Sequence, residues 1–267
     1  MTTSGRIAVL LGAASVTSGC GDAGSVWERS MAEDTIRVMA YNIHHGEGMD
    51  SVLDLERIAA VIRSVDADLV ALQEIDSVTT RTGRVDQAVE LGMLTGLEPV
   101  FGRFMPYREG AYGMALLSRW PIAEVENVRL PDGEEPRSAL SARVTSPTTG
   151  RPLRFVGIHF YRTEEERLRQ AMGLAEHLAD DTIPGILAGD FNSTPGSHVL
   201  SFLEEEWGVV TKGADRLTFS SFDPVREIDF VLLRPSARFE VLRSWLLHEP
   251  VASDHRPVVV DLVVRAP

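Results

Sequence analysis

The sequence contains one cysteine, Cys20, and one lysine, Lys212, among its 267 residues. A single cysteine excludes a disulfide within the chain. The near absence of lysine and the net charge of −13 argue against tight nonspecific binding to nucleic acid, which requires a basic face. Almost all of the positive charge is arginine, which favours bidentate contacts with phosphate. The composition therefore remains compatible with a small phosphate-containing substrate.

Several motifs that carry chemistry are also missing. The sequence has no Gly-x-Ser-x-Gly nucleophile elbow, no Walker phosphate loop and no dinucleotide-binding glycine motif. His44 and His45 are adjacent, so they lack the His-x-x-x-His spacing of a helical zinc site. Serine hydrolases, P-loop enzymes and nucleotide-dependent oxidoreductases therefore fit the sequence poorly.

The first twenty residues have the order of an export signal. Arg6 precedes an apolar run at residues 7–16, which is too short to span a bilayer comfortably, and small residues follow before Cys20. Small residues directly before a lone cysteine resemble a bacterial lipoprotein signal. We predict a signal peptide at residues 1–20, lipidation of Cys20, and a flexible tether at residues 21–34. Plain secretion and a wrongly assigned start are the alternatives.

The remaining chain alternates strand and helix patterns without a repeat or an interdomain linker. Apolar runs predict strands at residues 36–42, 68–73, 112–118, 122–130, 137–145, 153–158, 183–190, 228–233, 239–246 and 257–264. Helices are predicted at residues 54–63, 86–95 and 195–203, and another begins at Thr163, where Thr-Glu-Glu-Glu forms a capping box. This order predicts either a mixed sheet or two packed sheets covered by helices.

Polar side chains stand at or near the ends of several apolar strands. They are Asn42, Glu74, His159, Asp190 with Asn192, Asp229, and the run Ser253-Asp254-His255 before the last strand. Each alone has a structural explanation, such as a turn residue, a helix cap or a satisfied core histidine. Together they supply the groups needed for metal-assisted hydrolysis of a phosphate ester. The donors are mainly oxygen, which suits Mg²⁺, or else Mn²⁺ or Ca²⁺.

In their order along residues 36–264, these residues resemble the endonuclease/exonuclease/phosphatase superfamily with the DNase I-like fold. The matching motifs are Tyr41-Asn42-Ile43, Gln73-Glu74, Tyr112-Gly113, Leu117-Ser118-Arg119, His159, Gly189-Asp190-Phe191-Asn192, Ile228-Asp229 and Ser253-Asp254-His255. The resemblance implies an α+β fold, a four-layer α/β/β/α sandwich of two packed mixed β-sheets flanked by helices, with one catalytic domain at residues 35–267. The sequences at residues 41–46 and 73–76 are similar to a bacterial branch related to GPI-anchor lipid-remodelling proteins and sphingomyelinase-like phosphodiesterases.

The resemblance also implies roles for the metal-binding and water-binding residues. Glu74 would be the principal metal ligand, with Asn42 beside it and Asp254 contributing. Asp190 would orient or deprotonate the attacking water, and Asn192 would bind a phosphate oxygen.

The histidines complete the set of implied roles. His255 would contact the phosphate or transfer a proton, with Asp229 fixing its orientation. His159 would stabilise the transition state or protonate the leaving oxygen. An aspartate behind a histidine fits this chemistry, because it holds the tautomer and raises the basicity of the ring.

Other residues have two interpretations each. Arg137 is either a phosphate clamp or part of a surface salt bridge. Tyr112 either donates to the phosphate or packs in the core, and His44 and His45 either line the site or are loop histidines. Two departures from the family pattern, Met114 after Tyr112-Gly113 and Phe160-Tyr161 after His159, are expected to alter the substrate pocket.

The sequence as a whole predicts an exported, lipid-anchored, divalent-metal-dependent phosphoesterase. Its expected substrate is a phosphodiester, either a lipid headgroup or another small ester, and the expected partner surface is the membrane that holds the anchor. The enzyme is expected to be monomeric and extracytoplasmic. A nuclease of the same fold, disfavoured by the charge, and a non-catalytic binding lipoprotein are the alternatives.

Overall fold

The computed structural model describes Met1, residues 35–147 and residues 149–265. The predicted lipidation site Cys20 and the predicted tether lie outside the described residues, as does the predicted signal apart from Met1. Among the described residues, no helix has the length and apolar character needed to cross a membrane.

Twelve strands and four α-helices make up the described chain. The strands are β1 (Thr35–Asn42), β2 (Leu69–Ser77), β3 (Glu98–Tyr107), β4 (Gly110–Ser118), β5 (Ile122–Arg129), β6 (Ser138–Thr145), β7 (Pro152–His159), β8 (Gly185–Asp190), β9 (Gly208–Val209), β10 (Asp229–Arg234), β11 (Phe239–Leu246) and β12 (Val258–Val264). The helices are α1 (Leu55–Val65), α2 (Gln87–Thr95), α3 (Glu164–Leu178) and α4 (His198–Leu203). Short 3₁₀ turns occur at His44–Gly46, Thr80–Thr82 and Ser236–Arg238.

The strands form two mixed sheets of six strands each. The first has the order β11-β12-β1-β2-β4-β3, and the second has the order β5-β6-β7-β8-β10-β9. In each sheet one central pair is parallel, β1 with β2 and β7 with β8, whereas its other neighbours are antiparallel. The last strand of the chain, β12, lies between β11 and β1 in the interior of the first sheet.

Alternation along the strands sorts the side chains into three apolar layers. In β1, Val38 and Ala40 face the layer between the two sheets, whereas Met39 and Tyr41 face α1 and α2. A third layer packs α3 and α4 against the outer face of the second sheet. The predicted four-layer α/β/β/α sandwich is therefore confirmed.

The N-terminal caps of α1 and α3 differ in their hydrogen bonds. Asp54 caps α1 as predicted, because its side chain accepts a hydrogen bond from Arg57 N at 2.9 Å. At α3, Thr163 is the N-cap, but its side chain bonds Glu166 instead of the helix backbone. Glu166 in turn accepts from Glu134 N at 2.7 Å. The predicted helix start is confirmed. The expected capping-box hydrogen bonds do not form, because Glu166 binds the preceding loop instead.

Candidate active site

The site forms where the two parallel strand pairs end. The parallel pairing of β1 with β2 ends at Asn42 and Gln73, and that of β7 with β8 ends at His159 and Asp190. One pair belongs to each sheet, so the two packed sheets bring both ends to the same edge of the sandwich. A cleft of about 370 Å³ opens there.

Most of the predicted site residues line this cleft. They are Glu74, Tyr112, Arg137, His159, Asp190, Asn192, Asp254 and His255. Asn42 and Asp229 are each 1% exposed and lie behind this lining, where they contact the cleft residues by hydrogen bonds. The structure therefore brings all of the predicted catalytic, metal and phosphate residues together.

A β-bulge presents Glu74 to the cleft. The register of β2 against β4 shifts between Gln73 and Ile75, so Glu74 is an extra residue with a left-handed backbone, φ 60°. Its half-buried carboxylate accepts a hydrogen bond from Asn42 Nδ2 at 3.2 Å. The amide oxygen of Asn42 accepts from His44 N at 3.1 Å. Asn42 is thus a donor toward Glu74, while its oxygen is engaged by the main chain.

Asp190 is the centre of the polar network. Its Oδ2 lies 3.3 Å from Asn42 Nδ2, 3.4 Å from His159 Nε2 and 3.8 Å from His255 Nε2. Burial and the charge of Asp229 raise the pKa of Asp190 to about 7. The charge of His255 and the hydrogen bonds that Asp190 accepts partly oppose this rise. A buried carboxyl with a pKa near 7 is suited to proton transfer at neutral pH.

His255 forms a buried ion pair with Asp229. Its Nδ1 lies 2.9 and 3.1 Å from the two carboxylate oxygens of Asp229, so Nδ1 carries a proton and Nε2 faces Asp190. Burial lowers the pKa of His255, but Asp229, Asp190 and Asp254 outweigh that effect and raise the pKa to about 10. His255 is therefore a cation at neutral pH.

His159, in contrast to His255, is neutral. It is 4% exposed, and its Nδ1 has no hydrogen-bond partner within residues 35–147 and 149–265. Burial holds the pKa of His159 well below its usual value, and the charges of Arg137 and His255 add to this effect. Of its two predicted roles, transition-state stabilisation by a neutral ring agrees better with this environment than protonation of the leaving oxygen.

Two loops hold the remaining polar residues. Asn192 has a left-handed backbone, φ 48°, from which its N–H donates to Asp190 Oδ1 at 2.8 Å. Its side-chain Nδ2 donates to Phe160 O at 3.0 Å, which leaves its second N–H for the cleft. Ahead of β12, the Ser253 hydroxyl donates to Asn42 O at 2.7 Å and ties the Asp254 loop to the end of β1.

Arg137 is buried, contrary to its interpretation as a surface residue. It is 4% exposed, and its Nη1 lies 2.8 Å from Glu135 Oε1. The guanidinium lies 5.1 Å from the Phe104 ring, 5.8 Å from Tyr112 and 5.7 Å from Tyr161, as centroid distances. Its Nε has no hydrogen-bond partner among the described residues. A buried cation with a free donor at the cleft wall is suited to phosphate binding.

Tyr112 combines its two interpretations, since it packs in the core and also faces the cleft. Its ring packs edge-on against Phe104 with centroids 5.8 Å apart, and it also lines the cleft. Burial and the charge of Glu74 raise the pKa of its hydroxyl, an effect that Arg137 partly opposes. The hydroxyl therefore remains protonated and can donate a hydrogen bond.

The prediction that the two departures from the family pattern, at Met114 and at Phe160-Tyr161, alter the substrate pocket is only partly correct. Met114 is fully buried between the sheets and is absent from the cleft lining, since β4 turns it toward Gly157. Phe160 is buried in the outer layer against Phe191. Only Tyr161 acts near the site, where its ring lies beside Arg137 and its hydroxyl donates to Glu134 at 2.9 Å.

Several cleft residues had no signal in the sequence. Arg81, Tyr107, Phe219 and Arg226 line the cleft from loops and an edge strand, where neither spacing nor apolar periodicity marks them. Lys212, the only lysine of the chain, does not line the cleft but contacts the site from outside. Its ammonium is buried, pairs with Glu227 at 2.8 Å and donates to Asp229 O at 3.1 Å, so it supports Asp229 from behind.

Two groups of side chains among the described residues have the spacing of metal ligands. One ring nitrogen or carboxylate oxygen from each of His44, His45 and Glu74 lies within 4.8 Å of the others, and the same holds for Asp190, Asp229 and His255. The second group is joined internally by the Asp229–His255 pair. Of these residues, Glu74, Asp190 and His255 line the cleft. Carboxylate and imidazole donors at this spacing fit a divalent cation.

Comparison with known proteins agrees with this geometry. Residues 39–255 match the model of the Endonuclease/Exonuclease/phosphatase family. The chain is 28% identical to the uncharacterized protein YbhP of Escherichia coli K12 over 247 residues, which cover 85% of this chain and 96% of YbhP.

Solved structures share the fold. An endonuclease/exonuclease/phosphatase of Beutenbergia cavernae superposes with a TM-score of 0.71 at 25% identity, over 87% of this chain and 72% of that one. The mannosyl-6-phosphatase Bt3783 of Bacteroides thetaiotaomicron superposes with a TM-score of 0.70 at 21% identity, over 85% and 99% of the two chains. With its cleft residues and a family match over most of its length, the chain belongs to the endonuclease/exonuclease/phosphatase family of phosphoester hydrolases.

Proposed function

We propose that the protein is a divalent-metal-dependent phosphodiesterase that acts on a small ester or a lipid headgroup. The arrangement around Asp190 carries this proposal: a buried carboxylate contacts Asn42, His159 and His255 at the base of one cleft. Hydrolysis of a phosphate ester needs a water-activating base and donors for the non-bridging oxygens within reach of one phosphorus atom. This cleft contains both.

The side chains divide this work. Asp190 accepts the proton of the attacking water, and Asn42 and Asn192 hold its carboxylate in place through their donated hydrogen bonds. His255, protonated and held by Asp229, donates from Nε2 to a phosphoryl oxygen. The free amide N–H of Asn192 and the guanidinium of Arg137 bind the other phosphoryl oxygens.

Glu74 is the proposed anchor for the cation, with Asp254 on the same cleft wall. The cation would supply Lewis-acid stabilisation of the charge that develops on phosphate. The oxygen ligands by themselves favour Mg²⁺, or alternatively Mn²⁺ or Ca²⁺. His159 stays neutral and contributes a hydrogen bond near the leaving oxygen.

The walls of the cleft favour a diester with an organic substituent. Met105, Tyr107, Tyr112 and Phe219 line it, so apolar surface flanks the polar base. A diester has a second organic substituent, absent from a monoester, that this apolar surface can contact. The solved mannosyl-6-phosphatase of the same fold makes monoester hydrolysis the second candidate, and nuclease activity is a third that the net charge of −13 disfavours.

We also propose that the chain is exported, lipidated at Cys20 and monomeric, so that an anchor holds the cleft near a membrane substrate. The support is the order of Arg6, the apolar run at residues 7–16 and Cys20. Incorporation of a radiolabelled fatty acid tests the anchor. Cys20→Ala should eliminate the label, and equal labelling of the variant would contradict lipidation.

A substrate panel under one metal condition tests the activity. Bis-p-nitrophenyl phosphate and choline- or inositol-type lipids should be cleaved faster than p-nitrophenyl phosphate and linear DNA, and EDTA should stop turnover. Asp190→Asn should abolish most activity, while Asp132→Asn, an exposed change at a salt bridge with Arg129, should not. Preferred cleavage of monoester or DNA would replace the proposed substrate class, and EDTA-resistant turnover would exclude the metal mechanism.

A further inference from the structure

The turn after β1 brings two imidazoles to Glu74. A ring nitrogen of His44, a ring nitrogen of His45 and a carboxylate oxygen of Glu74 all lie within 4.8 Å of one another. Ligand atoms around one divalent ion, bonded at about 2.1 Å, stand roughly 3–4 Å apart. Small side-chain rotations would therefore place all three atoms on one ion.

The backbone is built to make this cluster. Adjacent side chains of an extended strand point to opposite faces, but His44 and His45 have left-handed backbones, φ 47° and 44°, and so does Glu74 at φ 60°. Each such non-glycine residue costs on the order of 1 kcal/mol and persists only where its surroundings hold it. Three of them in contact concentrate strain at one place.

A fully buried glutamine holds the turn. Gln87 donates from Nε2 to His45 O at 2.7 Å and accepts from Asp76 N at 2.9 Å. It thereby joins the histidine turn to Asp76 of β2, two residues after the bulge at Glu74. The relative position of the two segments is fixed by buried hydrogen bonds and not by a surface loop.

His44 and His45 each have a ring nitrogen that is available to bind a metal. His44 Nδ1 lies 3.0 Å from Glu47 O, so Nδ1 carries the proton and Nε2 keeps its lone pair. His45 is 9% exposed, and its buried Nδ1 has no hydrogen-bond partner in the described chain, which is costly for a polar atom unless it serves another contact. The amide oxygen of Asn42 already accepts a hydrogen bond from His44 N, and the imidazoles of His44 and His45 are further donors beside a cation at Glu74.

We propose that His44, His45 and Glu74 bind a divalent transition metal, so that the Glu74 site prefers Zn²⁺, Co²⁺ or Mn²⁺ to Mg²⁺ and Ca²⁺. Imidazole ligands favour first-row transition metals, whereas Mg²⁺ and Ca²⁺ favour oxygen. The neighbouring guanidinium of Arg81 would repel the cation only weakly, because its charge is paired with Asp76 at 2.6 Å. The inference rests on the proposed metal site but not on which ester is cleaved.

Metal binding to the purified, metal-stripped full chain tests this site. Titration with Co²⁺, followed by its visible absorption bands, and competition with Zn²⁺ and Mg²⁺ should give affinities for Co²⁺ and Zn²⁺ at least 100-fold above that for Mg²⁺. His44→Ala and His45→Gln should each weaken Co²⁺ and Zn²⁺ at least tenfold, about the effect of losing one ligand-shell contact, and should change the Co²⁺ spectrum. The exposed histidines His177 and His198 provide control variants, His177→Ala and His198→Ala, which should leave both unchanged.

The outcomes separate this inference from the proposed function. Equal affinities for Zn²⁺ and Mg²⁺, or His44→Ala with an unchanged Co²⁺ spectrum and affinity, would overturn it even where diester hydrolysis is retained. Histidine-dependent binding without diester hydrolysis would support the metal site and reject the proposed activity. If His45→Gln does not fold, the half-buried His44 alone decides the result.

Discussion

At the scale of single residues, Asp229 sets the charges of the site. It raises the pKa of Asp190 by repulsion and raises the pKa of His255 by attraction. The two effects give a carboxyl that is half-ionised near neutral pH beside a stable imidazolium. Activity should therefore rise as the pH passes through about 7, where Asp190 loses its proton, and fall as the pH approaches about 10, where His255 loses its own.

The Asp229→Asn variant tests this arrangement. Without the carboxylate, burial dominates at His255, so the pKa of the ring falls and the alkaline limb of the pH profile should move toward neutral pH. We expect kcat/KM to fall by about 10²-fold or more, the usual contribution of a general acid or base. The measurement is a pH profile of kcat/KM on bis-p-nitrophenyl phosphate, and an alkaline limb at its original pH would contradict the assigned role.

Arg137 offers a second test at this scale. Arg137→Lys keeps the charge but loses the planar fork that binds two oxygens at once. We expect kcat/KM to fall by about 10- to 100-fold. Arg234→Lys is the matched control, because its guanidinium is also largely buried and lies over an aromatic ring, Trp207, outside the cleft lining. Equal losses of kcat/KM in the two variants would contradict a role of Arg137 in substrate binding.

At the scale of elements, two bulges face each other across β4. The extra residue of β2 is Glu74 and that of β3 is Phe104, and both lie next to Gly113 in the pairing. A Cβ atom on Gly113 would lie 2.0 Å from Gly102 O. The close approach of β3 and β4 at this glycine thus accompanies the bulge that turns Glu74 to the cleft.

Gly113→Ala should destabilise the protein, because the clash is with backbone. Overpacking of this kind costs about 1–3 kcal/mol or more, so the Tm should fall by roughly 5 °C. The matched control is Gly157→Ala, whose Cβ would meet the movable tip of Met114 at 2.3 Å and should cost less. Scanning calorimetry compares them, and a larger loss in Gly157→Ala would contradict the argument.

The sequence predicted most elements because their apolar periodicity is strong, and it missed β3 for a physical reason. Residues 98–107 contain two prolines and a glycine and occupy the edge of the first sheet, where a strand tolerates proline. The site residues at strand ends were identifiable from chemistry alone. The approach of His44 and His45 to Glu74 was not identifiable from the sequence. It depends on the left-handed backbone of these residues, and no local motif marks that conformation.

At the scale of the whole molecule, the proposed metal site belongs to the folded state. Asn42 and Glu74 come from one sheet and Asp190 from the other, and hydrogen bonds join them. A ligand that binds only the folded state stabilises it in proportion to its affinity and concentration.

Metal should therefore raise the thermal stability of the metal-stripped protein. At one hundred times its Kd, a cation contributes about 2.7 kcal/mol, which corresponds to a rise in Tm of roughly 5–10 °C for a domain of this size. Glu74→Gln should remove most of this rise. An equal rise in that variant would place the cation elsewhere.

The position of β12 has a consequence for synthesis of the chain. Asp254 and His255 directly precede β12, which pairs with β1 from the opposite end of the sequence. A ribosome makes the chain from the amino terminus at about 5–20 residues per second, so the interior of the first sheet lacks a strand until residues 258–264 have emerged. Asp254 and His255 are consequently the last of the site residues to be made, and a nascent chain that stops before β12 should lack hydrolytic activity.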